Sequence, residues 1–202
     1  MKMSKLILAA AIAAASVSGA ASAANLIQNG DFEIASGVNL NNYTVVGAGD
    51  GAIAYWTVGG NSVDIINNSY NAISGNSIDM LGSPGPGVLS QSFNAVVGAT
   101  YTLSFDLTHN PNSHGAGMDV FVGGNHYAFD GSTPVTNYTF NFTATSGSQA
   151  LVFSSVGGDG WSGAVLDNVS VTAAVPEPET YAMMLAGLGL VGVIARRRKA
   201  AK

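Results

Sequence analysis

Two stretches of this chain alternate apolar and polar residues with a period of two, a pattern that suits an extended strand with one buried face and no helix. Tyr101, Leu103, Phe105 and Leu107 alternate with Thr102, Ser104, Asp106 and Thr108; Tyr138, Phe140 and Phe142 alternate with Thr139, Asn141 and Thr143. Shorter apolar runs, Val63 to Ile66, Ser77 to Leu81, Val88 to Phe93, Met118 to Val122, Tyr127 to Phe129, Leu151 to Ser154 and Val165 to Val171, stand between Gly, Asn and Pro punctuation. Gly123-Gly124 between two of these runs predicts a tight hairpin turn, because both central positions of such a turn need positive φ. No segment between residues 24 and 174 carries a helical period. Some 150 residues suffice for one domain with a sizeable core. The expectation is an all-β fold over residues 24–174, a two-sheet antiparallel β-sandwich of the jelly-roll kind.

Charge narrows the function classes. Every Lys and Arg lies at one of the two ends: Lys2 and Lys5, then Arg196, Arg197, Arg198, Lys199 and Lys202. The ten acids from Asp31 to Asp167 have no cation among them. A domain with no basic footprint cannot displace counterions from phosphate, which excludes nucleic acid as its ligand. Docking of the folded part on anionic lipid is excluded for the same reason. With 9% charged and 47% hydrophobic residues the chain is not a charge-rich disordered one. It has no Cys, so no disulfide helps to hold it.

The ends read as addresses. Residues 1–23 have a short basic start, an apolar stretch from Leu6 to Val17 and a small-residue exit at Ala21-Ser22-Ala23, the layout of a signal peptide with an apolar helical segment cut after Ala23. Residues 175–180 form a spacer containing Pro176, Glu177 and Pro178, which cannot be helical. Residues 181–195 are an uncharged hydrophobic run expected to be a helical membrane-inserting segment, though short for a permanent span, and residues 196–202 are a basic tail expected to stay cytoplasmic. Pro176-Glu177-Pro178, the apolar run and Arg196, Arg197 and Arg198 resemble, in that order, the PEP-CTERM sorting signal of exopolysaccharide-producing Gram-negative bacteria. That resemblance implies transient inner-membrane anchoring, processing by an exosortase-type protease, and delivery to the cell surface or an extracellular, biofilm-type matrix.

A second resemblance covers the domain itself. Asn25-Leu26-Ile27-Gln28-Asn29-Gly30-Asp31-Phe32-Glu33 opens it, Tyr55-Trp56-Thr57-Val58 and Ser62-Val63-Asp64 follow, and Leu166-Asp167-Asn168-Val169-Ser170-Val171 closes it. The order resembles the choice-of-anchor C family of bacterial surface domains. It is also similar to a plant cell-wall domain family and, more distantly, to carbohydrate-binding modules with a galactose-binding-like jelly roll. In those sugar-binding relatives the first and last strands lie side by side and often share a structural calcium. Here Asp167 shares strand parity with Val169 and Val171, and a buried carboxylate needs a partner that no Lys or Arg supplies. The remaining partners are backbone N–H groups, a His, a proton or a metal, and Ca²⁺ held by Glu33 and Asp167, with Asp31 as a helper, is the expected one; the alternative is a β-bulge turning Asp167 to solvent.

For a sugar ligand the candidates are aromatics on loops, which stack on a pyranose while amides and carboxylates meet its hydroxyls. Trp161 and Asp159 lie in the glycine-rich Gly157-to-Gly163 loop, and Trp161 is either a stacking platform or a lid on the sandwich. His126, Tyr127, Tyr70 and Asn71 are further candidates, whereas Trp56 belongs to the core. Without Lys or Arg the ligand is a neutral glycan rather than a uronate. Enzyme signals fail: Gly158, Gly160 and Gly163 precede a strand rather than a helix, Ala164 breaks a nucleophile-elbow pattern, and His109 and His114 flank a turn, so no metal helix forms. The reading is an exported, non-catalytic protein that binds neutral polysaccharide. Its alternative is a structural or adhesive matrix protein without a specific sugar site.

Overall fold

The computed structural model describes residues 23–39, 42–131 and 134–174, and near the C-terminus 184, 186–192, 194, 196 and 197. Residues 1–22 of the leader expected over residues 1–23, the spacer with Pro176, Glu177 and Pro178, and Arg198 lie outside the described residues. Ala24–Ala174 form one compact unit. The described residues from 184 to 197 are helical and exposed, Arg196 and Arg197 included. Among the described residues no helix is long and apolar enough to cross a membrane.

The domain is all-β. Its strands are β1 (Tyr43–Gly47), β2 (Thr57–Gly60), β3 (Ser62–Asn67), β4 (Asn76–Asp79), β5 (Gly87–Asn94), β6 (Thr100–His109), β7 (Gly117–Val122), β8 (Asn125–Asp130), β9 (Thr136–Thr143), β10 (Ser148–Val156) and β11 (Ala164–Ala173). They form a six-stranded sheet in the order β1-β3-β4-β11-β6-β9 and a five-stranded sheet in the order β2-β5-β10-β7-β8. The ladders are antiparallel. Only β3–β4 and β7–β8 connect neighbours within a sheet; each other connection crosses to the opposite sheet, which is the winding of a jelly roll. The turn between β7 and β8 is the expected Gly123-Gly124, at φ 60° and 75°.

Alternate residues of the two sheets interdigitate. Phe105 of β6 meets Phe153 of β10 with ring centroids 5.5 Å apart, and Trp56 packs against Phe32 at 5.5 Å and Phe153 at 6.1 Å. Full burial of a side chain of this size contributes about 1.5–3 kcal/mol. The Trp56 indole N–H, which would otherwise be buried unpaired, donates to the Asn29 carbonyl at 2.9 Å.

Two expectations about the chain ends of the domain need correction. The opening motif is not a regular strand: Asn29 and Phe32 have φ of 53° and 56°. Asn29 tolerates that conformation because its side chain accepts from Ile34 N and donates to the carbonyls of Ile34 and Ala54. The segment nevertheless runs beside β11, with Leu26 N donating to Val171 O at 2.8 Å and Val169 N to Gly30 O at 2.8 Å. Gly30 is obligatory there, since a Cβ would sit 1.9 Å from the Val169 carbonyl oxygen. Second, Asp167 does not share a side with Val169 and Val171. The β11–β6 register shifts between Asp167 and Ser170, with Asn168 at φ 52°, and this bulge leaves Val169 and Val171 in the core while Asp167 projects from the opposite face.

Candidate functional site

The bulge does not expose Asp167. The segment preceding β4 folds over the outer face, and Asp167 is fully buried beneath it. Its Oδ2 accepts from Ser74 N at 3.2 Å and Ser77 Oγ at 3.0 Å, and its Oδ1 from Asn168 N at 2.6 Å. Glu33 reaches the same segment from the opening motif, its Oε1 accepting from Asn76 N at 2.8 Å. Gly75, at φ 55°, makes room for it, since a Cβ would meet Glu33 Oε1 at 2.0 Å. Burial pushes the Asp167 carboxyl up to about 7, against the pull of its three hydrogen bonds, and the Glu33 charge adds to the rise. Glu33 and Asp167 thus bring two carboxylates to one segment in a domain without a cation, and they are the side chains that would hold a hard, oxygen-liking ion if one binds there. Asp31 does not join them: it is exposed beside a shallow depression lined by Asn25, Gly30 and Asn168, and among the described residues no group of three His, Asp or Glu gathers to hold a metal.

A different cleft, of about 170 Å³, opens on the outer face of β1, β3 and β4. Tyr43, Tyr70 and Trp161 line it, over a polar base of Asp64, Asp79, Ser83, Asn110 and Ser162. Tyr43 and Tyr70 meet edge to face at 6.1 Å. Trp161 is 65% exposed, so it is not a buried lid. The loop that carries it is fixed at both ends. Asp159 and Ser162 exchange backbone hydrogen bonds at 3.1 and 3.0 Å, and Gly160 supplies the positive φ of 61° that this tight turn requires. On one side Asp159 Oδ2 accepts from His114 N at 3.0 Å and faces His114 Nδ1 at 2.6 Å. On the other, Gly163 N donates to Asp79 Oδ1 at 2.9 Å. Asp79 also accepts from Asn110 Nδ2 and Leu81 N, so one carboxyl ties together three loops around the cleft. Burial raises its pKa to about 7, outweighing these hydrogen bonds, with the Asp64 charge adding to the rise. Asp64 is itself raised by burial and is held by Ser83 N and Oγ, both at 3.1 Å.

The structure thus divides the residues that the sequence grouped for glycan contact. Trp161 and Tyr70 share the cleft, and Asp159 anchors its loop. Asn71 donates to the His109 carbonyl at 2.9 Å. His126 and Tyr127 stand on β8 in the other sheet: His126 stacks on Phe121 and pairs with Asp119 at 3.0 Å, while Tyr127 turns inward against Phe140. Sequence reasoning missed Tyr43, Asp64, Asp79 and Asn110 as cleft residues. The available signal was an acid inside each of two apolar strands, Val63-Asp64-Ile65 and Ile78-Asp79-Met80, where a carboxylate has no reason to stand unless the outer face is used.

Comparison with solved structures gives several likenesses, each below 25% identity. A CBM4 structure is 19% identical, over 73% of this chain and 99% of its own, with a TM-score of 0.47. The CBM36-1 domain of a multidomain xylanase from the hindgut metagenome of Trinervitermes trinervoides is 20% identical, over 67% of this chain and all of its own, with a TM-score of 0.45. A putative sugar binding protein from Bacteroides thetaiotaomicron is 13% identical, over 75% of this chain and all of its own, with a TM-score of 0.45. These are likenesses of fold, and the fold described above rests on the sheets themselves. Comparison with curated proteins gives no match. The PEP-CTERM protein-sorting motif is matched over residues 174–199, with the proline-acid-proline spacer and the basic cluster inside it. The opening and closing motifs that run side by side fall within a match over residues 25–172, and the chain belongs to the family described as protein of unknown function, DUF642.

Proposed function

We propose that this is an exported, non-catalytic protein whose β-sandwich binds a neutral glycan at the Trp161 cleft, and that its PEP-CTERM segment is cut by an exosortase-type protease at the membrane. One observation carries the reading: an exposed tryptophan is displayed on a turn anchored at both ends, beside two tyrosines and above buried polar groups. Aromatic faces stack on sugar rings, and a ring held still before binding loses little entropy on contact. The cleft is smaller than pockets that enclose drug-sized ligands, which fits a single sugar unit at a chain end or branch. No Lys or Arg is present in the domain to grip an acidic sugar. A structural Ca²⁺ at Glu33 and Asp167 belongs to the same reading, as an ion that replaces the missing basic partner.

Calorimetric titration of neutral oligosaccharides, chosen by a glycan array, tests the cleft. Trp161→Ala is expected to weaken binding roughly 5- to 150-fold, the equivalent of about 1–3 kcal/mol for a stacking contact. Its melting temperature should barely move, because a ring that is mostly exposed contributes little to the core. Failure of the wild-type protein to bind any neutral glycan at millimolar concentration overturns the reading and favours the structural matrix alternative.

A further inference from the structure

The outer face of the five-stranded sheet carries a second feature that the Trp161 cleft does not use. A single cross-strand row runs through Thr57, Ser90, Val152, Phe121 and His126, each directly opposite the next in register. Two adjoining depressions, about 420 and 300 Å³, lie along this row and share Ala150 and Val152 as floor. At strand spacings of about 4.8 Å, a row across five strands is roughly 19 Å long. The floor is built of small side chains, and an aromatic stands toward each end: Tyr55, 59% exposed, and Phe121, stacked at 4.7 Å on His126. Asp119 pairs with His126 at 3.0 Å and steadies that stack.

The hydroxyls of this face are free. Thr57, Ser90 and Ser92 have no side-chain hydrogen-bond partner among the described residues. The outer face of β6 and β9 is the opposite case: Thr102 bonds Asn141, and Ser104, Thr139, Asn137 and Asp106 bond one another, so its polar groups are already satisfied. Charge complementarity then selects the occupant. No Asp, Glu, Lys or Arg lines either depression, and the domain's uncompensated acids repel anionic polymers. What fits an open, uncharged trough of free hydroxyls between two aromatic faces is a hydroxyl-rich, uncharged chain lying across the strands.

We propose that this groove is a second binding site, for the interior of an extended neutral polysaccharide chain. Because it lies on the outer face of one sheet and the Trp161 cleft on the outer face of the other, a single domain then bridges two polysaccharide chains. The bridging, though not the groove, rests on the reading of the Trp161 cleft given above.

Affinity electrophoresis and turbidity with a panel of soluble neutral polysaccharides (β-glucan, galactan, xylan and mannan), using the full exported protein, test this. Tyr55→Asn is the suitable variant at a residue with φ of 70°, since Asn tolerates that backbone, and it is combined with Phe121→Ser. Unchanged melting of the double variant confirms that it is folded; were it not, each single variant would be read alone. Expected is at least a tenfold loss of polymer affinity in the groove variant, loss of polymer cross-linking, and retained binding of short oligosaccharides. Trp161→Ala should keep polymer binding while also losing cross-linking. Polymer binding that survives the groove variant unchanged, or that Trp161→Ala alone abolishes, overturns the groove. Polymer binding lost in the groove variant together with an inert Trp161→Ala upholds the groove and instead refutes the cleft.

Discussion

Asp64 and Asp79 face each other directly across the β3–β4 ladder, on the outer side of the sheet, in a domain with no Lys or Arg to separate their charges. Their hydrogen bonds come from backbone amides, a serine hydroxyl and an asparagine amide. The pair is therefore a source of tension at neutral pH as well as the tie that holds the cleft together.

Stability should rise on mild acidification. Asp79 is raised to about 7 in the folded state from an ordinary value of 3.8, so between those two values the native protein binds more protons than the unfolded chain. Unfolding free energy then falls as pH climbs through that window, by up to about 1.4 kcal/mol per pH unit for one such group. Chelator-treated protein should melt higher at pH 5 than at pH 7.5, and Asp79→Asn should reduce the difference, the remainder coming from Asp167, which burial raises likewise. A melting temperature that rises steadily from pH 5 to pH 7.5 contradicts this.

Calcium should stabilise the fold through Glu33 and Asp167. For a dissociation constant on the order of 10⁻⁴ to 10⁻³ M, free Ca²⁺ at about a hundred times that value adds ~2.7 kcal/mol. Differential scanning calorimetry should show the gain in wild type and in Asp31→Asn, and its loss in Asp167→Asn. Identical melts with calcium and with chelator in the wild type count against the site.

Freeing the Trp161 turn should lower affinity without unfolding the domain. The His114–Asp159 contact is exposed, and such pairs contribute at most about 1 kcal/mol to stability. Asp159→Ala is therefore expected to cost several-fold in oligosaccharide affinity, with a change in melting temperature of no more than a few degrees. Tryptophan fluorescence anisotropy should fall in the same variant, reporting a looser ring. Equal affinity in the two proteins would assign the anchor no role in binding.

Processing should remove both ends. The expected second cut lies near Pro176 to Thr180, within the sorting motif matched over residues 174–199, and the expected first cut follows Ala23. Intact-mass measurement of surface-associated protein should find a chain without Met1 to Ala23 and without the Arg196-to-Arg198 cluster. Recovery of residues 181–195 in that material argues for a retained anchor.

What the sequence disclosed was governed by how local the cause was. Strands β6 and β9 were legible because their alternation is written in consecutive residues, and the Gly123-Gly124 turn because only backbone chirality decides it. Strand β1 was missed, being short and carrying Tyr43 and Val45 outward as apolar residues. The side on which Asp167 stands depends on one extra residue in the β11–β6 ladder, which no periodicity reveals. Trp161 could be singled out as an aromatic among glycines, but its companions Tyr43, Tyr70 and Asp79 come from remote parts of the chain that only the sheet order brings together. His126 and Tyr127, adjacent in sequence, were parted by the pleat itself.

The position of β11 has a consequence for delivery. It lies between β4 and β6, in the interior of the larger sheet, and the opening segment from Asn25 to Gly30 leans on it. A chain threaded through a membrane N-terminus first therefore cannot close its larger sheet until residues 164–173 have emerged, and the sorting motif begins at residue 174. Under the processing proposed above, the last strand and the sorting segment would leave an export channel one after the other, so a tail held in the bilayer would keep the chain in place while the fold is completed, and release by cleavage would follow folding rather than precede it.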